Sequence, residues 1–459
     1  MRLNLRQGLT RFVFLLLLVN TFFALFLPTY GWDSPSYHFP FSQLLWHIGG
    51  YTVDKLGALR YYRWLGFPKF AEAAQGFFWY ITHRQQSVTW PHLIVFACYL
   101  GIIRSFFRLP LFLLILALFT CPMVMIAYSD SYIDLFSSLA LAIAFFASIH
   151  LIWRLENVTS PVKSNDYAFA AIALVVASNS KYPAYLSSII LLMMILFQLL
   201  ASRRIDSKLK IKATACIALV SVCCSIVPIT NAIRFHDPFY PFTMEIGHKV
   251  IVEGPEAPYK TDPGYSVAFL NKTNHGHPLA FLSFPPIAFF LSASELDWSI
   301  RGLPTIYSID ESMGDAPKHG QPSRTGGWGG VYFLLLSAVL CLRLYKFKAI
   351  SGTFLGKCLI NFFAFTFLTT FLPQSFELRY YLYIPLIMIP LALKLCLVNR
   401  STLSCVKVVL VVMFFYYFFH EHKFVRFPTD TSASSPGLKQ MQDRYENEIR
   451  NISSEGISS

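Results

Sequence analysis

The sequence predicts an all-α polytopic membrane protein with about eleven transmembrane helices, ten to twelve being compatible with the pattern. Three observations carry that expectation: an apolar composition, apolar residues gathered in helix-length blocks, and basic residues concentrated between the blocks. Of 459 residues, 55% are hydrophobic and 14% charged, and the mean hydropathy is +0.49. A water-soluble domain of this length would lack the polar groups to cover its surface. The blocks are about as long as a bilayer-spanning helix, whose backbone groups must be satisfied within the chain. They do not alternate polar and apolar residues as a membrane barrel would.

A net charge of +13 with a pI near 9.2 would also suit a nucleic-acid partner. The basic residues, however, cluster in short inter-block segments such as Arg203, Arg204, Lys208, Lys210 and Lys212. That is the positive-inside pattern, so membrane lipids and not nucleic acid are the expected surroundings. The nine cysteines lie in or beside apolar blocks without paired metal-ligand spacing, and read as packing residues.

The first helix is expected over residues 10–30, after Arg2, Arg6 and Arg11. Its apolar run is long for a signal peptide and lacks a small-residue cleavage site, so it reads as an uncleaved helix with a cytoplasmic N-terminus. The loop 33–90 is then extracytoplasmic. Around residues 67–80 it mixes Lys69 and Glu72 with Phe77, as short amphipathic helices on a membrane surface do.

Helices near 91–107, 109–128, 132–152, 166–180, 183–200 and 213–231 put Arg104, Arg108, Arg154, Lys163 and the 203–212 cluster on the cytoplasmic side. Residues 231–327 form a second extracytoplasmic loop, rich in Pro and Gly. Its apolar run, 278–293, is read as interfacial or re-entrant, because spanning would carry Arg343, Lys346 and Lys348 outside. Helices near 329–345, 354–372, 378–398 and 403–420 complete a transmembrane domain over 1–420, followed by a polar tail, 421–459.

Four polar clusters fall at extracytoplasmic helix ends, where charge next to lipid requires water, a cavity or a partner. Asp33, in the segment Trp32 to Pro40, is a candidate general base if its aromatic neighbours shield it from water; helix capping is the alternative. Asp130 and Asp134 lie four apart at a helix start. Asp130 is a candidate ligand for a divalent cation or a helix cap, and Asp134 reads as a packing residue. Lys181, between two helices, and Arg379, at the mouth of a late one, suit phosphate oxygens or snorkel to ordinary lipid. The aromatic residues Tyr37, Trp46, Tyr51, Tyr61 and Trp64 of the first loop suit stacking on sugar faces.

In the order of these motifs the chain resembles the C-type (GT-C) membrane glycosyltransferases, the superfamily of protein mannosyltransferases and lipid A aminoarabinose transferases. The resemblance rests on the aspartate after helix one, the acidic turn at Asp130, Ser180-Lys181, the segment Asn231 to Pro241, and Arg379-Tyr380, covering roughly residues 10–240 and 375–395. It implies a polyprenyl-phosphate sugar donor and a glycan, lipid or protein acceptor, in a setting such as a bacterial inner membrane. It implies Asp33 as the catalytic base, and Lys181, Arg379, Tyr37, His38 and Tyr380 as substrate-binding residues. Asp33 is followed by Ser34 and Pro35, so the family's paired-acid form is missing and a metal at the first loop is in question. Asp130 remains the candidate ligand for a divalent metal. The competing classes are a transporter or flippase for lipid-linked sugars, which would place charges near mid-helix, and a polysaccharide polymerase or ligase, which the long second loop would suit.

Overall fold

A computed structural model describes residues 2–26, 34–157, 164–242, 244–246, 249–252, 254–255, 353–372 and 381–397, with a few residues between 286 and 340. Of the expected helix near 329–345, residues 335–340 are described and helical; the helix near 403–420, most of the loop 256–327 and the tail lie outside the described residues, as do Asp33, Arg379 and Tyr380.

The described chain is helical apart from one short hairpin, β1 (Met244–Ile246) with β2 (Lys249–Val252). Helix α1 spans Arg2–Phe26. The first loop then folds into a wide turn, Ser34–His38, and three helices: α2 (Phe39–Trp46), α3 (Ala58–Gly66) and α4 (Phe70–Thr82). The bundle follows with α5 (Trp90–Phe107), α6 (Leu111–Phe119), α7 (Pro122–Ser129), α8 (Asp134–Glu156), α9 (Ser164–Ser178), α10 (Tyr182–Ala201), α11 (Ser207–Cys224) and α12 (Ile226–Phe235). Two later helices are α13 (Phe354–Thr369) and α14 (Tyr383–Leu397).

Three helical stretches, Gln85–Phe107, Asp134–Glu156 and Tyr182–Ala201, are long and apolar enough to cross a membrane, and the bent pair α11–α12 makes a fourth if it is one span. Their outward faces carry the apolar side chains that lipid would cover: Phe197 is 72% exposed, Ile211 71% and Ile233 73%. The protein thus has the character of a membrane helical protein.

Proline accounts for the interruptions. The expected helix over 109–128 is two helices, because Pro122 has no N–H to offer the carbonyl of Leu118, which the N–H of Cys121 takes instead. Pro228 likewise withholds a donor from Cys224, and α11 and α12 meet at a bend of 55°. In α14, Pro390 leaves the carbonyl of Leu386 without its usual partner. The hydroxyl of Tyr99 on α5 donates to that carbonyl at 2.5 Å, so an interhelical bond replaces the missing intrahelical one.

Helix α8 is the axis of the bundle, packed against α5, α9, α10, α13 and α14. Its small residues, Ala140, Ala142, Ala144 and Ser148, are buried and let neighbouring backbones approach closely. Ser187 on α10 meets Tyr383 on α14 at 2.8 Å, and Lys394 donates to the carbonyl of Phe107 at 2.9 Å, satisfying the end of α5. Helix α8 is about 33 Å long, so its ends define two poles. At one, Arg154 pairs with Asp166 at 2.6 Å and Lys357 pairs with Glu156. At the other lie Asp134 and the first loop.

The loop is clasped to this second pole. The amide of Asn231 donates to the Gly66 carbonyl at 2.9 Å and to the Tyr182 hydroxyl at 2.7 Å, and that hydroxyl lies 2.8 Å from the same carbonyl. A Cβ on Gly66 would sit 2.2 Å from the carbonyl oxygen of Tyr240. Gly66→Ala is therefore expected to destabilise the protein by about 1–3 kcal/mol, read as a lowered unfolding temperature in detergent.

Candidate functional site

Helix α4 organises the polar centre of the loop. A Cβ on Gly76 would come within 2.4 Å of Trp46 Cδ1 and 2.8 Å of the Ser42 carbonyl oxygen, so only glycine lets α2 and α4 approach this closely. Trp46 Nε1 donates to the Ala73 carbonyl at 2.8 Å, and Ser42 Oγ to the Glu72 carbonyl at 3.0 Å. With the helices so fixed, His38 Nδ1 lies 2.8 Å from Glu72 Oε1, each side chain 1% exposed.

One turn further, Gln75 Nε2 donates to the Ser131 carbonyl at 2.8 Å, and Ser131 Oγ donates to Ser34 Oγ at 2.5 Å. Ser34 is the residue after Asp33, and Ser131 the residue after Asp130. Two of the predicted clusters therefore meet through their serines. Asp130 is buried, and its Oδ1 accepts from the Tyr132 backbone N–H at 3.1 Å, a local turn-forming bond. Among the described residues no group of three His, Cys, Asp or Glu side chains is placed to hold a metal ion.

The third cluster joins the same region. Lys181 Nζ pairs with Asp134 Oδ1 at 2.5 Å, bridging the start of α8 and the turn before α10. The lysine enters the site as half of an ion pair, and Asp134 carries a charge interaction beyond the packing role expected of it. Phe70 N–H donates to the Asn179 carbonyl at 2.9 Å, holding the start of α4 against that turn.

Tyr37 is buried in the loop, its ring 4.2 Å from that of His38 and 6.1 Å from that of Phe67, with the Arg63 guanidinium 5.4 Å above it. Trp46 is likewise engaged with Phe77 and Tyr80, whereas Tyr61 is 39% exposed. Glu72 and Gln75 take the centre of the site although their chemistry is not singled out in the sequence. Their signal is the segment Ala71-Glu72-Ala73-Ala74-Gln75-Gly76, where two polar side chains one turn apart are set among residues too small to keep a neighbouring helix away.

Lys69 caps the approach to α4, donating to the Phe67 carbonyl at 2.8 Å with its ammonium 5.0 Å from the Trp64 ring. Burial pushes Lys69 from its usual 10.5 down to about 8; Glu72 opposes the shift and Arg234 adds to it. Below about pH 8 the folded protein bears the whole penalty of burying that charge. Between about 8 and 10.5 the unfolded chain holds the proton and the folded one does not, so this contribution to stability rises with pH. Lys69→Met is expected to raise the unfolding temperature at pH 7, with a gain that shrinks toward pH 10. Burial also raises the carboxyl of Asp237, against the lowering effect of the Phe239 N–H that it accepts at 2.8 Å.

No family model matches this chain, and neither the curated proteins nor the solved structures compared with it include a match.

Proposed function

We propose that this chain is a GT-C-type glycosyltransferase of the bacterial inner membrane, with about eleven spans and a cytoplasmic N-terminus, moving a sugar from a polyprenyl-phosphate carrier to a cell-envelope glycan, lipid or protein. The observation that supports this reading is the gathering of Ser34, His38, Glu72, Gln75, Ser131, Asp134 and Lys181 at one pole of the bundle. Arg154 lies at the opposite pole, with the basic end of the positive-inside pattern.

In the proposed reaction an acceptor hydroxyl attacks the anomeric carbon as its bond to the carrier phosphate breaks. The hydroxyl proton passes to Asp33, and the bonding electron pair leaves with the polyprenyl phosphate. Arg379 is the proposed cation for the departing phosphate and Tyr380 a proposed substrate-binding neighbour, and Lys181, partly neutralised by Asp134, lends further positive field. Asp130, where a divalent metal is used, is its proposed ligand.

The test is incubation of the purified protein in liposomes with radiolabelled polyprenyl-phosphate sugars and cell-envelope acceptors. Label is expected on the acceptor only when donor and protein are both present. Absence of transfer from every donor overturns the reading. Label that crosses the bilayer without transfer supports a carrier of lipid-linked sugars, to which the bent pair α11–α12 would be suited.

A further inference from the structure

Three buried polar atoms around α4 have no hydrogen-bond partner among the described residues: His38 Nε2, Glu72 Oε2 and Gln75 Oε1. Their owners are 0%, 1% and 3% exposed. Buried polar groups are almost always satisfied, so these three call for something the described residues do not supply. What they lack is donors. A carboxylate oxygen and an amide oxygen only accept. In the tautomer that places the ring proton on Nδ1, 2.8 Å from Glu72 Oε1, Nε2 of His38 is an acceptor. Glu72 and Gln75 are three apart on one helix face, where side chains are neighbours, and Glu72 holds His38 beside them.

We propose that His38 Nε2, Glu72 Oε2 and Gln75 Oε1 form a subsite for a hydroxyl-rich ligand, a sugar whose neighbouring hydroxyls donate to the three acceptors. Each hydroxyl offers one proton to an acceptor and lone pairs to whatever else surrounds it, so one pyranose face can satisfy several orphaned atoms at once. A hydroxyl hydrogen bond to a buried carboxylate is a charge-assisted one and carries the larger share of discrimination. The inference rests on the transferase reading for its choice of a sugar, and assigns the subsite to sugar recognition and not to the carrier phosphate, which three acceptors would repel.

The test measures binding to the full-length protein in detergent by its intrinsic tryptophan fluorescence. Probes are a panel of free mono- and disaccharides, polyprenyl-phosphate hexoses and pentoses, and polyprenyl phosphate without sugar. His38→Gln and the near-isosteric Glu72→Gln are compared with wild type, and unfolding temperatures confirm that each variant is folded. At least one sugar-bearing probe is expected to lose affinity about tenfold or more in both variants, with bare polyprenyl phosphate bound as before. Should every sugar-bearing probe bind wild type and folded Glu72→Gln equally, or none bind wild type, the subsite is overturned. If saccharides bind in a His38- and Glu72-dependent way but no lipid-linked sugar is transferred, the subsite stands and the transferase reading fails.

Discussion

Lys181→Met or Asp134→Leu alone is expected to destabilise the protein by about 3–5 kcal/mol, and the double replacement by less than either single one. Asp134 is 1% exposed and Lys181 13%, so removing one partner strands the other's charge away from water. Removing both leaves two apolar side chains in a region already lined by Ile133, Phe136 and Val176. Asp134 also sits in the first turn of α8, where the positive end of the helix favours a carboxylate, so its loss should be the worse of the two. Denaturant titration of the three variants in detergent checks this as a double-mutant cycle. Simple additivity of the two single effects would mean that the bridge contributes nothing to joining α8 to the turn before α10.

Asp33→Asn is expected to lower turnover about 10²- to 10⁴-fold, the usual range for losing a positioned general base. The unfolding temperature should change little, because the amide keeps the size of the carboxylate and the neighbouring Ser34 keeps its 2.5 Å bond to Ser131. An amide preserves the shape of the carboxylate but cannot take up the acceptor's proton. Wild-type rates in the variant would exclude Asp33 from the chemistry and leave the proton to another group.

The helix pattern is legible in the hydropathy alone. Helices expected near 91–107, 166–180, 183–200 and 354–372 meet α5, α9, α10 and α13 within a few residues, because each is an uninterrupted apolar run; α9 and α13 are shorter than the stretches long enough to cross a membrane. The breaks at residues 120–121 and 225 are not read from that average, since a window long enough to find a span smooths over a single Pro122 or Pro228. Within the site, Lys181 and Asp134 stand out as charges at helix ends, yet their pairing depends on α8 and α10 lying side by side, which no local pattern encodes. Glu72 is visible only as one acid in an amphipathic stretch. Its burial against His38 arises from a contact 34 residues away in sequence, made when Gly76 lets α2 and α4 close up.

The clasp at Gly66 bears on how molecules reach this pole. A single amide, Asn231, and a single hydroxyl, Tyr182, share one carbonyl of the first loop, so the loop cannot swing outward without surrendering bonds to two separate bundle elements at once. Outward motion of the loop is thereby coupled to loosening of the bundle itself. A route from the side, between helices whose outer surfaces are already apolar, leaves every one of those bonds in place, and the long-tailed carrier proposed above is shaped for that approach.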